Sequence, residues 1–346
     1  MNFSINTIMK GITASVFGAT FLLSGGTAFA DYSCKSATFI VPYSPGGGSD
    51  QMARRLVPGL EEALGVKVNI VYKTGGGGAV GFSELHRSDP DGCTFSNTVV
   101  PNVIISSKGD GVGYEAGDFE YIGMTESSAG TLMVPKDSKY QSIDSFVAAA
   151  LENPGMLTVA GTGGSGLSRW KQLEEVLGIE TTYVPVGGGV GKMIPMLAGS
   201  HIDGAATGAN HATKHKAIVN SILVAGSNEV PTLPGIPNEP DWNYVITWGL
   251  MAPPGTPADV VETLNAAMNS AAQSSSVQEA LINGGYVPHN MSVAETNAFM
   301  DAEIAKYART LPDAPRPPGN HQPIWDAALC VSPISLCFLF DGVKSF

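Results

Sequence analysis

Basic residues are in short supply: 19 lysines and arginines stand against 31 aspartates and glutamates, a formal charge of −12 at pH 7. A field of that sign repels phosphate backbones and anionic lipid headgroups, so neither nucleic acid nor a membrane surface is expected as a partner. Cysteine is rarer still, at 4 in 346 residues. Without a CxxC pair or a Cys/His cluster, these cysteines signal neither a metal site nor a redox centre. The apolar run GITASVFGATFLLSGG at residues 11–26 falls short of the ~20 residues that a spanning helix needs. No repeat of ~20–50 residues recurs, which sets a solenoid aside.

Catalytic and cofactor signatures are equally thin. No glycine loop ends in GK[ST]. Two match GxGxxG, at Gly76-Gly78-Gly81 and Gly161-Gly163-Gly166, but a dinucleotide site also wants an acid closing the next strand about twenty residues on. Glu180 opens the strand TTYVPV instead of ending it, and TFSNTVV has no acid at all. No cofactor is therefore expected. Ser165 lacks the last glycine of GxSxG, no histidine is tied by a motif to a serine, and no catalytic residue is assigned. His211 and His215, spaced i, i+4 without an HExxH pattern, read as surface residues.

What is present is ordered from the start. Lys10, the apolar run and Ala28-Phe29-Ala30 before Asp31 form the pattern of an export signal over residues 1–30, with the mature chain beginning near Asp31. Strand-like and helix-like runs then alternate: ATFIVPY, QMARRLVPGLEEAL, VKVNIVYK, AVGFSELHRS and CTFSNTVV, followed by a second series from SIDSFVAAALEN to SILVAG. Such alternation marks an α/β chain with mostly parallel sheets, and two series of this length imply two lobes. Cys34 and Cys93 each precede a strand. If those strands are parallel neighbours, the two lie at one sheet edge, either as a disulfide or as two buried thiols. After residue 311 a proline-rich stretch and the apolar CVSPISLCFLF make a divergent tail.

Glycine is abundant, 42 of 346 residues against a usual ~7%, and it clusters directly after strands in SPGGGSD, TGGGGAVG, GTGGSG and VGGGVG. A helix N-terminus offers unpaired N–H groups and the positive end of the dipole, and glycines let an anion come close. Ser49 and Ser165 each add a hydroxyl donor, so SPGGGSD and GTGGSG read as two halves of a carboxylate cradle, one from each series. Asp50 is expected to cap or orient the first loop. TGGGGAVG, taken alone, reads as a tight turn.

The stretches IVPYSPGGGSDQMARRL, GGGGAVGFSELHRSDPDGCTF, VPVGGGVGKMIPMLAGSHID and WGLMAPPGTPADVVETLN resemble, in order and spacing, the substrate-binding receptors of tripartite tricarboxylate transporters, the TctC/Bug-like family, over residues 37–311. The resemblance implies a type II-like periplasmic binding protein, monomeric, with a first lobe from residues 31–131 and 248–311 and a second from 132–247. It implies a small organic carboxylate held in an interlobe cleft and passed to membrane permease subunits. The family's first binding loop falls on Tyr43, Ser44, Pro45, Gly46, Gly47, Gly48, Ser49 and Asp50. Its second falls on Gly161, Thr162, Gly163, Gly164, Ser165 and Ser168, and a third segment on Gly187 and Gly188. The chain departs from the family at Val186 and Gly187, where a tyrosine and lysine are common, and near Arg169, where a histidine is common. An extracytoplasmic α/β hydrolase or oxidoreductase acting on a small acid is the alternative.

Overall fold

The computed structural model describes residues 32–109, 111–187 and 189–310, the side chains of 163–165, 309 and 310 excepted. The expected export signal and the tail lie outside these residues. Strands β1 (Ser36–Val41), β2 (Lys67–Tyr72) and β3 (Thr94–Val100) alternate with helices α1 (Gly48–Leu64), α2 (Ala79–His86) and α3 (Asn102–Ser106). The long strand β4 (Glu120–Pro135) leads to α4 (Ile143–Glu152), β5 (Thr158–Gly161), α5 (Gly163–Leu177), β6 (Thr182–Pro185), α6 (Val190–Ala198), β7 (Gly204–Gly208), α7 (Ala209–Lys214), β8 (Val219–Ala225) and β9 (Asn238–Glu239). The chain returns through β10 (Val245–Ala252) to α8 (Ala258–Ala272), α9 (Ser275–Asn283), β11 (Val287–Pro288) and α10 (Val293–Thr310).

The strands run in the order β2-β1-β3-β10-β4-β7-β5-β6. Within each lobe the strands joined through helices are parallel: β1 with β2 and β3, and β5 with β6 and β7. The crossing strands are antiparallel to their neighbours, so both sheets are mixed. β4 serves both sheets. Residues Glu120 to Ala129 pair with β10, and from Gly130 onward the strand pairs with β7 and β8. β10 then inserts between β3 and β4.

β1 is apolar along its length because both faces are covered. Ala37, Phe39 and Val41 join one core with Met52, Leu56 and Leu60 of α1. Ile40 joins a second core with Phe82 and Leu85 of α2. The buried positions of α1, Met52, Ala53, Leu56, Leu60 and Leu64, recur at helical spacing and form its inward stripe. α1 is also tied to the crossing strand by an ion pair between the partly buried Arg55 and the buried Glu126, with the Tyr286 ring 4.7 Å from the guanidinium. Burial raises the pKa of Glu126 to about 7 against the pull of Arg55. Removing either partner would strand a charge in the interior, so the pair fixes where the α1 N-terminus points.

Cys34 and Cys93 are bonded, with Cα atoms 5.6 Å apart. β1 and β3 are parallel neighbours in the register Thr38 to Thr94, which brings the residues before them together. The disulfide, not the pair of thiols, is what the structure contains.

Candidate functional site

Two adjoining cavities of about 260 Å³ and about 60 Å³ open where the strands of both lobes end. They share Tyr43, Ser44, Asn102, Thr162 and Gly189. The first lobe gives Gly75 to Gly78 to the larger cavity, and Gly47, Gly48 and Ser49 to the smaller one. The second lobe gives Pro185, Val186 and Gly187 to the larger, and Val190, Thr207 and His211 to the smaller. Ile246 and Trp248 of the crossing strand complete the smaller wall.

α1 begins at its glycines. The Gln51 amide is the first to close a helical bond, to the Gly47 carbonyl at 3.0 Å, which leaves the amides of Gly48, Ser49 and Asp50 without helical acceptors. α5 begins in the same way, the Gly166 amide donating to the Thr162 carbonyl at 3.1 Å. Two helix N-termini, one per lobe, thus meet at one cleft, and each carries the positive end of a dipole. Neither cavity is lined by an aspartate, glutamate, lysine or arginine among the described residues.

Of the first loop, Tyr43, Ser44, Gly47, Gly48 and Ser49 reach the cavities. The Tyr43 hydroxyl donates to the Gly77 carbonyl at 2.9 Å and accepts from Asn102 Nδ2 at 3.0 Å, and the phenol pKa is pushed up by burial. Ser49 is 2% exposed, and its hydroxyl has no hydrogen-bond partner among the described residues. Pro45, Gly46 and Asp50 do not line the cavities. Gly46, at φ +88°, makes the corner, and its amide donates to the Asp50 carboxylate at 2.8 Å. Asp50 also accepts from the Tyr72 hydroxyl at 2.5 Å and Arg54 Nε at 2.8 Å. Burial pushes its pKa up, but the hydrogen bonds from Tyr72, Gly46 and Arg54 outweigh this and hold it below the usual carboxylate range. Asp50 therefore stays anionic and orients the loop.

In the second loop Thr162 lines both cavities, whereas Gly161 and Ser168 line neither. Gly163 and Gly164 belong to the first turn of α5. The side chain of Ser165 and the whole of Gly188 lie outside the described residues, while Gly187 lines the larger cavity. The TGGGGAVG segment is a turn as expected: Gly75, Gly76, Gly77 and Gly78 all have positive φ, from 57° to 137°, which only glycine adopts freely. It is also a wall of the larger cavity, a role that its sequence alone did not disclose.

His211 corrects the reading of a surface residue. It is 2% exposed in the wall of the smaller cavity, and its Nδ1 has no partner among the described residues. Burial, with His215 and Lys214 nearby, lowers its pKa to about 3, so the ring is neutral. Asn102 and Thr207 are further wall residues that carried no motif. No cluster of three or more histidine, cysteine, aspartate or glutamate side chains suited to a metal occurs among the described residues.

Residues 52–313 match the tripartite tricarboxylate transporter family receptor. This chain belongs to that family. A protein of Pseudomonas sp. (strain P51), the UPF0065 protein in the tcbD-tcbE intergenic region, is 30% identical to the receptor over 256 residues, covering 70% of this chain and 76% of the other. The solved structure of periplasmic binding protein BugD superposes with a TM-score of 0.74 at 24% identity, over 80% of this chain and 96% of that one. MatC from Rhodopseudomonas palustris, solved with bound malate, gives a TM-score of 0.74 at 22% identity, over 80% and 98%. These structures share the receptor's two-lobed α/β fold.

Proposed function

We propose that this receptor is exported to the periplasm, captures one small organic carboxylate in the interlobe cleft without chemical turnover, and presents it to the membrane permease subunits of a tripartite tricarboxylate-type transporter. The observation that carries this reading is the meeting of two open helix N-termini, of α1 and α5, at one cleft whose lining carries no charged side chain among the described residues. Backbone amides in that arrangement favour a carboxylate and ask for no counter-ion on the cavity surface. The malate held by MatC, a protein of the same fold, supports the ligand class. The receptor acts as a monomer whose lobes close by a hinge where β4 and β10 pass between the sheets, near Ala129 and Gly130.

A thermal-shift panel of mono-, di-, tri- and aromatic carboxylic acids, followed by calorimetric titration of those that stabilise the protein, tests the reading. One structural class should raise the melting temperature and bind one to one. A panel in which no acid stabilises the protein, or in which candidate esters are turned over, contradicts it.

A further inference from the structure

The cleft poses an electrostatic problem: an anion must enter a protein of charge −12 through walls that carry no charged side chain among the described residues. Behind the second loop, in the second turn of α5, stands Arg169, 5% exposed. Its guanidinium carbon lies 4.3 Å from the centre of the Tyr244 ring. Nε and Nη2 have no hydrogen-bond partner among the described residues, and no carboxylate pairs with the group there. Arg55 differs in having a carboxylate partner, since that partly buried arginine is matched by Glu126.

An unpaired buried cation is costly to a folded protein, and a polar group left so needs a reason. Its surroundings supply one. The Tyr183 hydroxyl backs Gly161 and Gly166 of the second loop, where an added Cβ would sit 2.5 and 2.6 Å from that oxygen. Tyr43 lines both cavities. Burial raises the phenol pKa of Tyr43 and of Tyr183; against it act the Asn102 hydrogen bond at Tyr43 and, more weakly at both rings, the positive charge of Arg169.

We propose that Arg169 is the fixed positive charge of the cleft, the counter-charge that a bound carboxylate neutralises, acting from behind Thr162 as a positioning residue that selects acids over their neutral analogues. This rests on the carboxylate-receptor reading.

The competing role is a strut, Arg169 holding α5 to Tyr244 by cation–π stacking. The two differ in the ligand-free protein. Arg169→Met removes an unpaired charge and keeps much of the apolar stem, so the empty receptor should melt at the same temperature or higher, as when other buried charges give way to apolar groups; a strut would make it melt lower. Affinity for the acid identified by the panel should fall about ten- to hundred-fold, as for loss of a charge-assisted contact, and the preference for the acid over its amide should shrink. Arg169→Lys, which retains the charge, should stay within about three-fold of the wild type, a few tenths of a decade on the affinity scale. If Arg169→Met does not fold, Arg169→Gln gives the same affinity readout. Equal affinities of wild type and the Met or Gln variant, with the wild type binding its acid, overturn the proposal and leave the receptor reading standing. Equal losses in the Lys and Met variants overturn it too, since shape and not charge would then matter. A wild type that binds no acid removes both readings.

Discussion

Replacing Ser49 with alanine isolates the hydroxyl of the α1 cradle. Ser49 stands at the second helical position, faces the smaller cavity and is 2% exposed, and in the empty protein its hydroxyl bonds to nothing among the described residues. Deleting that oxygen breaks no hydrogen bond in the free receptor and opens a void of one atom, so the melting temperature should stay within about 2 °C, the effect of well under 1 kcal/mol in a domain of this size. In the proposed complex the same oxygen donates to a carboxylate, and a hydrogen bond to a charged group contributes about 1.5–3 kcal/mol. Ser49→Ala should therefore bind the acid roughly ten- to hundred-fold more weakly. Calorimetric titration of both proteins with that acid reads the difference. An unchanged dissociation constant would refute the reasoning, because it would mean that the glycines and the serine only shape a turn.

Gly48 and Gly47 should separate. A Cβ on Gly48 would lie 2.6 Å from Trp248 Cζ2, so Gly48→Ala must displace that ring, at about 1–3 kcal/mol of overpacking, with a lower melting temperature and weaker binding. Gly47, at φ −79° with 3.6 Å to the nearest atom, should accept alanine without loss of stability. Replacing Cys34 and Cys93 with serine releases a loop of sequence separation 59 and should lower unfolding free energy by about 4 kcal/mol on the chain-entropy estimate. Chemical denaturation reads this, and affinity should hold because the bridge lies at the sheet end opposite the cleft. His211 has a folded pKa of about 3, against ~6.5 in the unfolded chain. The unfolded state thus binds the extra proton between these values, and stability that is complete above pH ~6.5 falls as the solution is acidified, by up to about 1.4 kcal/mol per pH unit. Glu126, raised to about 7 by burial, titrates in the opposite sense and offsets much of this loss in the wild type, so in melting curves from pH 7 to 5 the His211→Asn variant, left with the Glu126 contribution, should gain stability on acidification relative to the wild type.

Much of this was legible in the sequence because the signals were local. Alternating runs marked the α/β series, and the position of Cys34 and Cys93 before two strands placed them at one sheet edge, leaving open whether they bridge, which the structure decides. What was not legible depended on contacts between distant residues. Parallel and antiparallel strands both read as apolar runs, so the insertion of β10 between β3 and β4 left no trace in the pattern. α3 spans Asn102–Ser106 and α7 Ala209–Lys214, too short to show a helical period, and these helices carry Asn102 and His211. His211 looked like a surface residue because two histidines spaced i, i+4 without a metal motif carry no burial signal in the sequence, whereas the fold leaves it 2% exposed in the wall of the smaller cavity. The Gly75–Gly78 run joined the cleft through the Tyr43 hydroxyl, 34 residues away.

The central claim is that a carboxylate, recognised by its charge, is held between the two helix N-termini. Calorimetric titration of the wild-type receptor with the best acid of the panel, beside the methyl ester of the same acid, tests it most directly. The account predicts one site per chain for the acid and binding of the ester weaker by at least about ten-fold, the loss of one charge-assisted hydrogen bond. Equal affinity for acid and ester, or no binding of any acid, would contradict it.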